Sequence, residues 1–144
     1  MIRAMKEKDL PAVMHIWLTS NCQAHSFIPK SYWEGLFQDV AQAISEAEVY
    51  VAEENGEVLG FIGFGAAHTI EGLFVAEPHR SKGVGKQLLD YAKKDRPHLL
   101  LSAYKDNAGA MSFYLREGFQ AISEYTDVAP AYVLEWCSEK APVE

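Results

Sequence analysis

The segment Leu73-Phe74-Val75-Ala76-Glu77-Pro78-His79-Arg80-Ser81-Lys82-Gly83-Val84-Gly85-Lys86-Gln87-Leu88-Leu89 sets strand-forming residues, a turn of pattern R-x-x-G-x-G and helix-forming residues end to end. Such a junction suits an anion. Glycines at 83 and 85 let the backbone come close to a ligand, and N–H groups at a helix N-terminus point at bound phosphate with the helix dipole behind them. Arg80, Lys82 and Lys86 add positive charge, and a pyrophosphate is the natural occupant; the same cluster also reads as a solvated turn. The G-x-x-x-x-G-K-[ST] spacing of a Walker A loop is absent, as is the third glycine of a dinucleotide-binding G-x-G-x-x-G.

The elements around this turn can be read from periodicity. Ile2 to Met5 forms a short strand, and Asp9 stands at an N-cap position with Pro11 in the first helical turn. Leu10, Val13, Met14, Trp17 and Leu18 paint one face of that helix, and Trp33, Leu36, Phe37, Val40 and Ile44 repeat the pattern after Pro29. From Glu48 to Ala76 the period becomes that of strands, with Asn55-Gly56 as a type I′ hairpin turn. A helix over Lys86 to Lys94, a strand over Leu99 to Tyr104, a helix from Ala108 ended by Gly118, and strands over Phe119 to Tyr125 and Tyr132 to Trp136 complete the order β-α-α-β-β-β-α-β-α-β-β. This is an α+β pattern.

The 144 residues show no compositional break, so the expectation is one domain over 1–144, with 137–144 as a dispensable tail. No apolar run is long enough to cross a bilayer and the N-terminus lacks a secretory core, which makes the cytoplasm the default compartment and a membrane role unexpected. Cys22 and Cys137 lack Cys-x-x-Cys spacing and read as buried apolar fillers, so no metal is expected. A net charge of −7 repels phosphate backbones and argues against a nucleic-acid partner, while it suits a cationic acceptor.

At Arg80, Gly83 and Gly85 the sequence resembles the GNAT N-acetyltransferase superfamily, whose coenzyme A signature is R/Q-x-x-G-x-G/A after a strand. Asn107-Ala108-Gly109-Ala110-Met111-Ser112-Phe113-Tyr114-Leu115-Arg116-Glu117-Gly118-Phe119 supplies a second match, to N-x-x-A-x-x-F-Y-x-x-x-G-F, in the right order. The resemblance runs from Ile2 to about Trp136 and is similar to small bacterial single-domain members, some of which acetylate lysines. It implies a GNAT fold: a mixed central sheet splayed between the fourth and fifth strands and flanked by about four helices.

The resemblance also implies acetyl-coenzyme A (acetyl-CoA) as donor, a primary amine as acceptor, and direct transfer in a ternary complex. Cofactor binding falls to Leu73, Phe74 and Val75, whose backbone would pair with the pantetheine arm, to the turn Arg80, Ser81, Lys82, Gly83, Val84, Gly85 and Lys86, and to Asn107 and Tyr114. A backbone N–H near Val75 would polarise the thioester carbonyl. Asn107 reads equally as a helix cap. Tyr114 matches the tyrosine that protonates the departing thiolate, and Glu71 the position of a glutamate base, with His68 or His25 as alternatives. Strand alternation would place residues 71, 73 and 75 on one face. Ser102 stands where some protein-acetylating relatives carry a catalytic glutamate. Trp17, Phe27, Tyr32 and Trp33 read as core rather than as an acceptor cage.

The acceptor, a small amine or a protein lysine or N-terminus, depends on the loops at 22–32 and 126–131. A homodimer is compatible with the sequence. The rival reading is a non-catalytic module that binds acyl-CoA as a sensor or partner domain, against which Tyr114 and Glu71 argue.

Overall fold

Alternating apolar residues lay the first sheet between two sets of helices. In the computed structural model, which describes residues 1–138, β1 (Ile2–Ala4), β2 (Glu48–Glu54), β3 (Glu57–Phe64) and β4 (Ile70–Val75) form an antiparallel sheet in that order. Val49, Val51 and Phe61 face one side and join Val13, Met14 and Trp17 of α1 (Leu10–Ala24) and Trp33 of α2 (Lys30–Glu46). Ala52, Leu59 and Ile62 face the other and pack with Leu88 and Leu89 of α3 (Val84–Asp95). Covered on both faces, β3 is buried from Leu59 to Phe64.

The remaining strands, β5 (His98–Tyr104), β6 (Gln120–Thr126) and β7 (Pro130–Cys137), form a second antiparallel sheet in the order β5-β7-β6, with α4 (Ala108–Arg116) between β5 and β6 in sequence. The two sheets meet at a single parallel bridge, Thr69 to Leu100, backed by the Leu100 N–H donating to the His68 carbonyl. Beyond that bridge β4 and β5 part. The α+β class, the four helices and the splay between the fourth and fifth strands are as the sequence implies, and the one parallel bridge is what makes the arrangement mixed.

Local signals mostly hold. Asn55 and Gly56 both adopt positive φ, +54° and +82°, as a type I′ turn requires, and Gly118 does so after α4 at +97°. Asp9 differs from expectation. A 3₁₀ turn over Glu7–Asp9 precedes α1, so Asp9 already has helical dihedrals and does not cap α1. Its carboxylate reaches back to the Lys6 N–H (2.8 Å) and takes two bonds from Arg3 (2.8 and 3.1 Å), which together hold its pKa down at about 2. Cys137 departs too: it is exposed at the end of β7, one residue into the stretch read as a tail. Residues 139–144 of that stretch lie outside the described residues.

Candidate active site

The phosphate turn has the shape an anion needs. Ser81 and Gly83 take left-handed backbone, φ +68° and +84°. At Gly83 this costs little, whereas at a non-glycine residue it costs on the order of 1–2 kcal/mol, so Ser81 carries local strain. Gly83 occupies the N-cap of α3, and among the described residues no side chain caps that helix or competes for its first-turn N–H groups. Gly85 follows on the same turn and lines a cleft of about 610 Å³ with Leu73, Val75, Ser81, Phe113 and Tyr114.

The basic side chains do less here than their sequence positions suggest. The Arg80 guanidinium turns toward α1, donating to the Val75 carbonyl, Gln23 Oε1 and Ser20 Oγ, each at 3.0 Å. Lys86 pairs with Glu117 (3.1 Å) and Asp90 (3.4 Å). Arg80 thus fastens the turn to α1 and to the end of β4, while it and Lys86 still line the cleft beside the first turn of α3.

A second, smaller cleft of about 250 Å³ opens where β4 and β5 part, walled by Trp17, His25, Trp33, Glu71, Tyr104 and Asn107. Leu73, Ala110 and Tyr114 line both clefts. Tyr114 is therefore at their junction. Its ring is buried, packed on Phe113 and Phe119, and the hydroxyl makes no hydrogen bond to another described residue. Burial pushes the phenol's pKa well above its ordinary value, so it keeps its proton.

Asn107 takes the capping role, one of the two that the sequence left open. Its Oδ1 accepts from the Ala110 N–H (3.2 Å), capping α4, while its amide donates to His25 Nε2 (3.1 Å) from within the second cleft. His25 is buried among Phe27, Trp33 and Tyr104, with ring centroids 5.0 to 5.6 Å away, and burial lowers its pKa. With Nε2 taken, its proton rests on Nδ1, an enclosed atom without a well-formed hydrogen bond. Neither nitrogen is free to take a proton from a ligand. His68 lines a different cavity, with Glu48, Tyr91 and Arg96.

Glu71 remains as the exposed carboxylate of the second cleft, but it does not share a face with Leu73 and Val75. The register of β3 against β4 slips between Gly63↔Gly72 and Phe64↔Ile70, leaving Glu71 as the extra residue of a bulge. Leu73 and Val75 pack toward α3, whereas Glu71 turns toward Trp17, Ile44, Phe61 and Phe74. Its carboxylate rests on Gly65, where a Cβ would collide with it. Phe74, expected beside the cofactor, packs its ring on Phe61 and does not line the phosphate cleft. Of the aromatics read as core, Trp17 and Trp33 are buried yet also wall the second cleft, and Phe27 is 38% exposed. Sequence reasoning missed Tyr104 and Ala110. The alanine letter of the downstream motif marked Ala110, a small residue where the clefts join, but Tyr104 carried no signal beyond its place at the end of β5.

The acetyltransferase (GNAT) domain family matches residues 45–121. The chain is 32% identical over 140 residues to the peptidyl-lysine N-acetyltransferase YiaC of Escherichia coli K12, covering 94% of this chain and 96% of that protein. Among solved structures, apo YjaB from Escherichia coli superposes with a TM-score of 0.84 at 24% identity, covering 96% and 97% of the two chains. PaiA N-acetyltransferase from Thermoplasma acidophilum, solved with coenzyme A, gives 0.80 at 21% identity over 95% and 98%.

His25 yields a test of the site's architecture. It is neutral when folded, whereas in the unfolded chain it gains a proton below about pH 6.5. The unfolded state then binds more protons, so the stability that the neutral ring contributes is present above that pH and lost as pH falls below it. Urea denaturation should show a smaller loss between about pH 7 and pH 5 for His25→Phe than for wild type; equal losses would mean that the ring is not the titrating group. Motif, turn geometry, fold and relatives agree, and the chain belongs to the GNAT superfamily of N-acetyltransferases, enzymes whose acetyl donor is acetyl-CoA.

Proposed function

We propose that this acetyltransferase moves the acetyl group of acetyl-CoA directly to the Nζ of a protein lysine. The observation that carries the reading is the meeting of two clefts at Tyr114, Leu73 and Ala110. One cleft has the uncapped helix N-terminus for phosphates; the other has aromatic walls and one exposed carboxylate. Donor and acceptor held in these clefts approach each other only at Tyr114, which suits transfer without a covalent enzyme intermediate.

The second cleft fits a lysine side chain. Trp17, Trp33 and Tyr104 offer apolar and π surface to an aliphatic stem and its ammonium, and Glu71 offers the carboxylate. The net charge of −7 favours a cationic partner. YiaC, at 32% identity, is itself a peptidyl-lysine N-acetyltransferase. In this reading Glu71 accepts a proton from the ammonium, directly or through water, the freed lone pair attacks the acetyl carbon, and the carbon–sulfur bond breaks as the Tyr114 hydroxyl protonates the sulfur; the proton that the new amide nitrogen sheds returns to the Tyr114 oxygen through water. Leu73 to Val75 supply backbone groups for the pantetheine arm. A non-catalytic module would need neither a protonated phenol at the junction nor a carboxylate beside it.

The acceptor is tested with a lysine-containing peptide whose α-amine is blocked. Mass spectrometry should find one acetyl group on Nζ, whereas acetylation confined to small amines would overturn the lysine assignment.

Two variants separate binding from chemistry. Gly85→Asp puts a carboxylate in the first turn of α3, where it suits the helix but repels phosphate, so calorimetry should show CoA affinity largely lost. Tyr114→Phe leaves the ring packed and should keep that affinity while turnover falls on the order of 10² to 10⁴-fold. Undiminished affinity in the first, or unchanged turnover in the second, would displace the corresponding half of the site.

Glu71→Gln should leave CoA affinity near wild type. A lysine amine has an ordinary pKa of about 10.4, so base assistance matters most at low pH. The variant's rate should fall most on the acidic limb and converge on wild type as pH nears the amine's pKa. Parallel pH–rate profiles for the two proteins would remove Glu71 from the reaction.

A further inference from the structure

Away from both clefts, three side chains of metal-binding chemistry converge on the second sheet. His98 opens β5, and Glu135 and Cys137 close β7. The register pairs His98 with Cys137 and Leu100 with Glu135. Leu99, Leu101 and Leu134 point into the core, so strand alternation sends His98, Glu135 and Cys137 to the opposite face. There His98 Nε2 lies 2.6 Å from Glu135 Oε2, and the imidazole nitrogen, carboxylate oxygen and thiol sulfur all lie within 4.8 Å of one another.

We propose that His98, Glu135 and Cys137 bind a Zn²⁺ ion that ties the start of β5 to the end of β7. Zinc bonds of about 2.0–2.3 Å in tetrahedral geometry place ligand atoms roughly 3.5 Å apart, a spacing these side chains reach by small rotations. The donor set selects the metal: a thiolate and an imidazole suit zinc, and a single carboxylate is too little for Mg²⁺ or Ca²⁺, which require mostly oxygen ligands. Adjacent strands fix the ligand backbones, and the Ser138 N–H donating to the Pro97 carbonyl (2.8 Å) extends that frame past Cys137. Three protein ligands leave a fourth position to water. The ion's role is to brace the sheet; acetyl transfer requires no metal here. The ligands lie far apart in sequence, which is why cysteine spacing gave no sign of them.

The test uses the untagged full chain, stripped with chelator, loaded with zinc and passed through gel filtration. Elemental analysis should find about one zinc per chain, as one tetrahedral site requires, and Tm should rise with zinc concentration. Cys137→Ser and His98→Gln should each lose the bound metal and the Tm response, whereas Cys22→Ser should keep both. Loaded with Co²⁺, wild type and Cys22→Ser should show a sulfur-to-cobalt charge-transfer band that Cys137→Ser lacks. Since these ligands lie on the surface side of the sheet, circular dichroism will confirm that each variant is folded. Failure of wild type to retain zinc, or equal retention by Cys137→Ser and His98→Gln, would overturn the site; neither result bears on the acetyl-transfer proposal.

Discussion

A β-strand must satisfy its backbone N–H and C=O groups on both edges, and β4 does so on only one. It pairs with β3 along its length, but on the other side it meets β5 through the bridge at Thr69 alone. An unsatisfied buried backbone group costs roughly 1–3 kcal/mol. A half-buried edge from Leu73 to Val75 therefore favours a partner that presents amides of its own. The parting of the strands also opens the space in which both clefts meet. Phosphate turn, junction tyrosine and acceptor walls are arranged around that one unclosed sheet edge.

Two side chains keep the gap in register. Arg80 ties the phosphate turn to α1 and to the last carbonyl of β4, and Asn107 ties the first turn of α4 to the loop after α1 through His25. Asn107 and His25 both wall the second cleft, whereas Arg80 joins the turn of the first cleft to α1. Each cleft thus has a wall held to α1, or to the residue that ends it, by side-chain hydrogen bonds.

Much of this was legible in the chain. The strand–turn–helix junction, the Asn-Gly hairpin, the cap at Asn107 and the positive φ at Gly118 are local, written within a few residues, and each appears where the pattern puts it. What the sequence hid is nonlocal. Strand alternation failed at Glu71 because a bulge depends on the partner strand's register, which no periodicity in β4 alone records. The destination of Arg80 is hidden because Ser20 and Gln23 lie some sixty positions upstream, and nothing local links His25, an alternative base on the sequence alone, to Asn107. The dual use of Trp17 and Trp33 as core and cleft wall follows the same logic: helical spacing shows which face turns inward, not that the interior there is open.

The engagement of Arg80 and Lys86 has a consequence for how the donor site attracts its ligand. Lys86 is paired with Glu117 and Asp90, whereas Arg80 bonds only uncharged acceptors and Lys82 makes no ion pair among the described residues. Attraction at the turn therefore combines the charge of Arg80 and Lys82 with the N–H dipoles of the α3 N-terminus, and dissolved salt screens both. Affinity so built falls as ionic strength rises. Because that charge is confined to one turn of an acidic protein, a polyanion can be held without the broad positive field that would draw nucleic acids to the same surface.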